Sequence, residues 1–308
     1  MKISVVIPVY KSSESLIEIF NQCDNFFSEQ RIDYEIIFVN DSPTFEPTVQ
    51  TLKELKEKSN KIIVLQNRKN LGQQLSLLVG LYHSKGDYVI TIDDDLQHPI
   101  EEFSKLIDEM ISSECDAIFA VPKYSDKKHS IWRNFGSYLI NTIDIVFLKK
   151  PKGLVKSSFR IIKRDIVDLM IRNYSATPGI SSLIVEMTHN IKNIEVKHKQ
   201  RKYGKSNYNL FKLISLTLNN VINYSSLPLQ ILGTIGGIIF AFSMIFIMII
   251  LIRRLFFSLT FPGWASVVIL VTFFGGINMF AIGLIGEYLI RIIKQQHKPN
   301  LEDLYIER

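Results

Sequence analysis

The sequence predicts an α/β domain with a mostly parallel sheet, followed by interfacial helices and a pair of membrane-spanning helices. Three observations carry that prediction. Residues 1 to about 120 alternate short β-branched or aromatic runs with helical periodicities. One hydrophobic run ends abruptly in three consecutive carboxylates, Asp93-Asp94-Asp95. From Leu213 to Gly286 the only charged side chains are Arg253 and Arg254.

The strand signals are Ile3–Val9, Tyr34–Val39, Ile62–Leu65, Tyr88–Ile92 and Ala117–Val121. Helical periodicity runs through Ser13–Phe27, Thr48–Lys58, Gln73–His83 and Ile100–Ile111. Such alternation predicts helices on both faces of a mostly parallel sheet, which binds ligands beyond the carboxyl ends of its strands. The first run, Met1 to Tyr10, is too short for a signal-peptide core and is interrupted by Pro8, so it reads as a strand that stays in the cytoplasm. Neither G-x-G-x-x-G nor G-x-x-x-x-G-K-[ST] occurs, which removes two common ways of cradling a phosphate.

Leu227–Ile252 and Ser266–Gly286 are uncharged, and about 20 apolar residues suffice to cross a bilayer. Gly233, Gly236 and Gly237 in the first, and Gly275, Gly276 and Gly283 in the second, would let two helices pack closely. Basic residues flank the pair at Lys205, Lys212, Arg291, Lys294 and Lys298, so both termini are expected on the cytoplasmic side of the inner membrane. Asn207–Ser226 carries apolar residues on one face and reads as interfacial helix. The expected division is a cytoplasmic α/β domain over 1–205, interfacial helices over 206–226, a two-helix anchor over 227–290 and a cytoplasmic tail over 291–308. Self-association would reinforce so short an anchor. The 36 basic and 30 acidic residues leave a net charge of +6, which suits an anionic membrane surface or a phosphate-bearing substrate and not nucleic acid. Two cysteines, Cys23 and Cys115, fit a reducing compartment.

The acidic cluster sits in Tyr88-Val89-Ile90-Thr91-Ile92-Asp93-Asp94-Asp95-Leu96-Gln97-His98-Pro99. Adjacent carboxylates repel one another unless a cation lies among them. On an extended segment Asp93, Asp95 and Gln97 share one side and supply the hard oxygen ligands that Mg²⁺ or Mn²⁺ takes. A solvated acidic turn is the alternative.

The chain resembles the family 2 glycosyltransferases with the GT-A fold, and among them the polyprenyl-phosphate glycosyltransferases. The resemblance rests on Val5-Val6-Ile7-Pro8-Val9-Tyr10, Glu35–Ser42, Asn70-Leu71-Gly72, Asp93–Pro99, Ser158-Phe159-Arg160, Arg201–Tyr208 and Gly286-Glu287-Tyr288. It implies that Pro8, Val9, Tyr10, Asp41 and Asp94 line the nucleotide pocket. Asp93 and Asp95 would hold a divalent cation, Mg²⁺ or Mn²⁺, with Gln97 as a further ligand. Arg133, Ser137 and Lys123 would meet the acceptor phosphate, and Arg201 would lie in the loop over the diphosphate. A structural role for Arg160, pairing with a sheet-edge carboxylate, stays open. The chain departs from the family in three places: Lys11-Ser12 replaces an Asn-Glu pair, Ser42-Pro43 replaces Gly-Ser after Asp41, and Ser158 stands where some relatives have Asp. No carboxylate base is therefore carried over to that last site.

The implied activity is inverting transfer of one hexose from a nucleotide sugar, expected to be UDP-glucose or a similar UDP-sugar, to undecaprenyl phosphate. Such transfer would serve cell-envelope glycan or lipid A and O-antigen modification. A phosphate monoester is largely ionised at neutral pH, so it needs no general base, only cations that draw it in. Glucose, N-acetylglucosamine, galactose, mannose and 4-amino-arabinose-type sugars all stay open as donor sugars. The competing readings are a family 2 enzyme with a saccharide hydroxyl acceptor and a non-catalytic membrane assembly partner.

Overall fold

A computed structural model describes residues 1–123, 151, 153–176, 178–199, 263–296, 298 and 300–308, with helical positions 234, 238, 242, 245, 248, 249 and 252. Expectations placed on Arg133, Ser137, Arg201 and the 206–226 segment lie outside these residues. The chain forms two compact units. One is Met1–Val221 with Lys298–Arg308, the other Ile222–His297.

The first unit is built on one sheet. Its strands are β1 (Lys2–Val9), β2 (Asp33–Asn40), β3 (Ile62–Asn67), β4 (Tyr88–Thr91), β5 (Ala117–Pro122), β6 (Arg160–Lys163), β7 (Ile191–Val196) and β8 (Tyr305–Glu307). They are ordered β7-β5-β6-β4-β1-β2-β3-β8. β6 and β8 run against the other six. The carboxyl ends of β1, β2, β4 and β5 therefore share an edge with the amino end of β6, and that edge carries the acidic cluster.

The helices are α1 (Glu14–Gln30), α2 (Glu46–Lys58), α3 (Gln73–His83), α4 (Phe103–Ser113, preceded by a 3₁₀ turn at Ile100–Glu102), α5 (Arg164–Asn173) and α6 (Ile180–Met187). Both sheet faces are covered, so β1 reads as a continuous apolar run and not an alternation. Ile3, Val5, Ile7 and Val9 join the core that α1, α2 and α4 close with Leu16, Phe27, Leu52 and Phe103. Val6 faces the other way, onto α3, where Gly80 lets the helix approach: a Cβ there would lie 2.3 Å from Val6 Cγ1.

The four predicted helices and five predicted strands are all present. β4 is shorter than expected, ending at Thr91. The sequence assigned no structure to β6, β7, β8, α5 or α6. β8 is the notable addition. Tyr305–Glu307 pairs antiparallel with β3, Leu301 and Leu304 are buried, and the Arg68 amide donates to the Leu304 carbonyl at 2.9 Å. The stretch expected to be a plain tail thus closes the edge of the sheet.

In the second unit, α7 runs from Trp264 to Gln296 and contains the expected second span. None of its described side chains is buried. Taking the described residues alone, no helix is long and apolar enough to cross a membrane. Most of the expected first span lies outside them.

Candidate active site

β4 delivers the acidic cluster to the carboxyl edge of the sheet. The chain leaves extended conformation there: residues 94 and 95 turn, and Leu96 takes φ +59°, a left-handed conformation that is uncommon for a side chain of its size. Alternation along a strand therefore reaches only as far as Asp93, and Asp95 and Gln97 are placed by the turn instead. The Gln97 amide donates to Asp95 Oδ1 at 3.1 Å, and the Gln97 carbonyl accepts from the Lys199 amide at 3.0 Å. Asp95 is buried.

Asp93 is held on both oxygens. Gln73, at the start of α3, donates to Oδ1 at 2.7 Å, and the Ser158 hydroxyl donates to Oδ2 at 2.6 Å. His98 Nε2 lies 3.8 Å from the same Oδ2. Burial works to raise the Asp93 carboxyl, but the His98 contact, the Ser158 hydroxyl and the Arg160 charge outweigh it and hold it below the usual carboxylate range. Asp94 points the other way, towards the loop after β1. Its Oδ2 accepts from the Tyr10 amide at 3.1 Å and the Ser12 hydroxyl at 2.7 Å. Burial pushes its carboxyl up to about 6 against those two bonds, and the neighbouring Asp93 and Asp95 add to the rise. One cluster thus holds carboxylates with opposed tendencies.

The other expected site residues fall as follows. Pro8 and Val9 are buried within β1, whereas Tyr10 is 50% exposed at its end. Lys11 takes φ +55° and its ammonium lies 5.4 Å from the Tyr10 ring centre. The loop that lacks the family's Asn-Glu pair is tied instead by Ser12 to Asp94 and by the Lys11 amide to the Ser42 hydroxyl at 3.0 Å. Asp41 is buried, and its carboxylate accepts from the Leu71 amide (2.7 Å), the Gly72 amide (2.9 Å) and Asn67 Nδ2 (2.9 Å). It clamps the loop between β3 and α3. Lys123 is exposed just past β5.

Arg160 begins β6, opposite Thr91 in register. Among the described residues it pairs with no sheet-edge carboxylate. Its Nε donates to Thr91 Oγ1 at 2.9 Å and its NH1 to Ser181 Oγ at 2.8 Å. Gln73 and Ser181 were not singled out from sequence, and Ser12 and His98 were named there only as parts of longer segments. Polar residues beside turns are too common to stand out before the fold brings them together.

Among the described residues, no group of three or more His, Cys, Asp or Glu is gathered to hold a metal ion. The donors at this edge are nonetheless of the right kind. Asp93 is held ionised, and Asp95 and Gln97 add hard oxygens, the set that suits a cation leaving positions for phosphate and water. The residues fit such an ion by donor chemistry.

The mixed α/β sheet that delivers acids to the carboxyl edge of a central strand has the GT-A fold. The description "Glycosyl transferase family 2" matches residues 4–171, and the chain belongs to that family. It is 31% identical over 298 residues to the undecaprenyl-phosphate 4-deoxy-4-formamido-L-arabinose transferase of Klebsiella pneumoniae strain 342, an alignment covering 94% of this chain and 89% of that one. Two solved structures share the fold. Glucosyl-3-phosphoglycerate synthase of Mycobacterium tuberculosis, in complex with Mn²⁺, UDP-glucose and phosphoglyceric acid, has a TM-score of 0.51 at 14% identity, over 72% of this chain and 77% of that one. A mannosyltransferase of Pyrobaculum calidifontis, in complex with GDP-Man and Mn²⁺, has a TM-score of 0.50 at 15% identity, over 72% and 63%.

Proposed function

We propose that this protein is a membrane-bound, inverting glycosyltransferase that moves one sugar from a nucleotide sugar to undecaprenyl phosphate. The observation that carries the proposal is Asp93, oriented on both carboxylate oxygens beside Asp95 at the carboxyl edge of β4, in a chain similar over 94% of its length to an undecaprenyl-phosphate sugar transferase.

Asp93, Asp95 and Gln97 would hold Mg²⁺ or Mn²⁺, and the cation when bound neutralises charge on the departing diphosphate. Tyr10, exposed where β1 ends, and the loop clamped by Asp41 would border the nucleotide. Asp94 secures the Tyr10 backbone from beneath. Arg201 would cover the diphosphate. Lys123, with Arg133 and Ser137, would attract the acceptor phosphate, which attacks from the side opposite the diphosphate and needs no base to ionise it.

Exposed apolar side chains support a membrane location. Ile238, Phe242, Ile245, Met248 and Ile252 lie exposed, as do Val271, Phe273, Ile282 and Ile285 of α7. Apolar rows of that extent call for lipid or a partner. Tyr305–Glu307 pairs with β3 of the catalytic unit, so an anchor set between that unit's two parts in sequence would cross the bilayer an even number of times. Two spans, with catalytic unit and both termini cytoplasmic at the inner membrane, satisfy this. Self-association of the anchor is part of the same proposal.

The donor is proposed to be a UDP-sugar. UDP-glucose and a nucleotide-linked 4-deoxy-4-formamido-L-arabinose, the sugar in the relative's name, are the donors to set against each other. Purified protein in detergent, given undecaprenyl phosphate and each radiolabelled UDP- or GDP-sugar in turn, should yield a chloroform-soluble product from one donor class. No lipid product from any donor, with nucleotide still bound, would turn the reading to a saccharide acceptor. No product and no nucleotide binding would turn it to a non-catalytic assembly partner.

A further inference from the structure

Arg160 is the largest fully buried side chain among the described residues, 1% exposed. Removing a guanidinium from water costs several kcal/mol unless opposite charge and hydrogen bonds compensate. Among the described residues its hydrogen bonds go to two hydroxyls, Thr91 Oγ1 and Ser181 Oγ, and its Cζ lies 5.9 Å from the Phe119 ring centre. No carboxylate forms an ion pair with it among the described residues. The negative charge that favours its cation is Asp93, against burial that draws it down to about 10.

Thr91 and Ser158 link Arg160 to Asp93, each bond with a fixed polarity. A guanidinium can only donate, so Thr91 Oγ1 must accept from Arg160 Nε. The Thr91 proton is then committed to its other neighbour, the Ser158 carbonyl, at 2.6 Å. A carbonyl can only accept, so this link too has one polarity. Ser158, its backbone so held, turns its own hydroxyl to Asp93 Oδ2 at 2.6 Å, and an ionised carboxylate can only accept. Thr91 is fully buried. Each group in the series has a single allowed role, which is how a polar network specifies one arrangement.

We propose that Arg160 is a positioning residue for Asp93, acting through the ordered series Thr91–Ser158, and that it sets this carboxylate for a divalent cation. The proposal rests on the glycosyltransferase reading above, because it assigns Asp93 to cation binding. A residue that merely joined β6 to β4 would need neither a charge nor a hydroxyl partner, since the backbone ladder between the strands already pairs Thr91 with Arg160.

The test uses the full-length protein in detergent and reads Mn²⁺ binding by the electron paramagnetic resonance signal of the free ion, beside thermal unfolding and sugar transfer. Thr91→Val keeps shape and charge and removes the middle hydroxyl. Arg160→Met removes the charge, Arg160→Lys keeps it. Thr91→Val and Arg160→Met should each weaken Mn²⁺ binding roughly tenfold, the worth of one hydrogen bond to a charged group. The double variant should be little worse than either single one, as expected of links in one series. Arg160→Lys should retain more affinity than Arg160→Met. Should Arg160→Met fail to fold, Thr91→Ser set beside Thr91→Val decides: the serine keeps the hydroxyl that Arg160 uses and must retain the Mn²⁺ affinity that the valine loses. Folded variants that bind Mn²⁺ like the wild type overturn the inference while wild-type transfer leaves the function standing. A wild type that neither binds Mn²⁺ nor transfers sugar overturns both.

Discussion

Ser158 donates its hydroxyl to Oδ2 of Asp93 at 2.6 Å, joining the residue pair just before β6 to the turn after β4. At this position the chain presents a hydroxyl that orients an acid, as suits an acceptor that arrives already ionised.

Ser158→Ala should therefore lower kcat/KM by roughly ten- to a hundredfold, since a hydrogen bond to a charged group is worth about 1.5–3 kcal/mol and each 1.36 kcal/mol is tenfold in rate. The melting temperature should change little. Ser158→Asp should do more harm, because it sets a second carboxylate against Asp93. Steady-state transfer assays beside thermal melts distinguish the two effects.

Asp41→Ala should destabilise the catalytic unit by about 2–4 kcal/mol, because it leaves two backbone amides and the Asn67 side chain without their shared acceptor. Donor KM should rise with it, as the loop leading into α3 and Gln73 loosens. Urea unfolding measures the first, and donor titration the second. An unchanged KM in a destabilised variant would confine Asp41 to stability.

Gly86→Ala should cost at least about 1–3 kcal/mol. A Cβ at Gly86 would lie 2.6 Å from the Ser4 backbone nitrogen and 2.9 Å from the Lys2 carbonyl, and neither backbone atom can swing aside. A melting temperature within a degree of wild type would show that β1 and the start of β4 can part without penalty.

Glu35 links stability to pH. Burial works to raise its carboxyl, but Lys2 at 2.5 Å, the Ser4 hydroxyl at 2.6 Å and the Lys85 amide at 2.7 Å hold it below its ordinary value of 4.5. A carboxyl depressed in the folded state contributes stability that is fully present above the unfolded value and lost as pH falls through the folded one. Glu35→Gln should lower stability at pH 7 and flatten its decline below about pH 4.5. Denaturant midpoints across that range test both.

Much of this architecture was legible because its signals are local. Val5–Val9 is a continuous apolar run because helices cover both faces of β1, and α3 has the bounds predicted for it, set between Gly72 and Ser84. The acidic cluster was legible for its composition, but its geometry was not: the turn at 94–95 and the left-handed Leu96 leave no periodic trace. β8 was invisible because three residues become a strand only when the β3 edge is there to pair with. The partners of Asp93 were equally hidden, since Gln73 and Ser158 lie 20 and 65 positions away and are ordinary polar residues until the sheet assembles.

The most direct measurement is acceptor discrimination. With the donor found by the panel, transfer is measured to undecaprenyl phosphate, to undecaprenol and to a soluble saccharide, for wild type and Asp95→Ala, with and without EDTA. The proposed function predicts a chloroform-soluble product from undecaprenyl phosphate alone, lost with EDTA and lost in Asp95→Ala. Equal transfer to undecaprenol or to the saccharide, or transfer indifferent to Asp95, would contradict it.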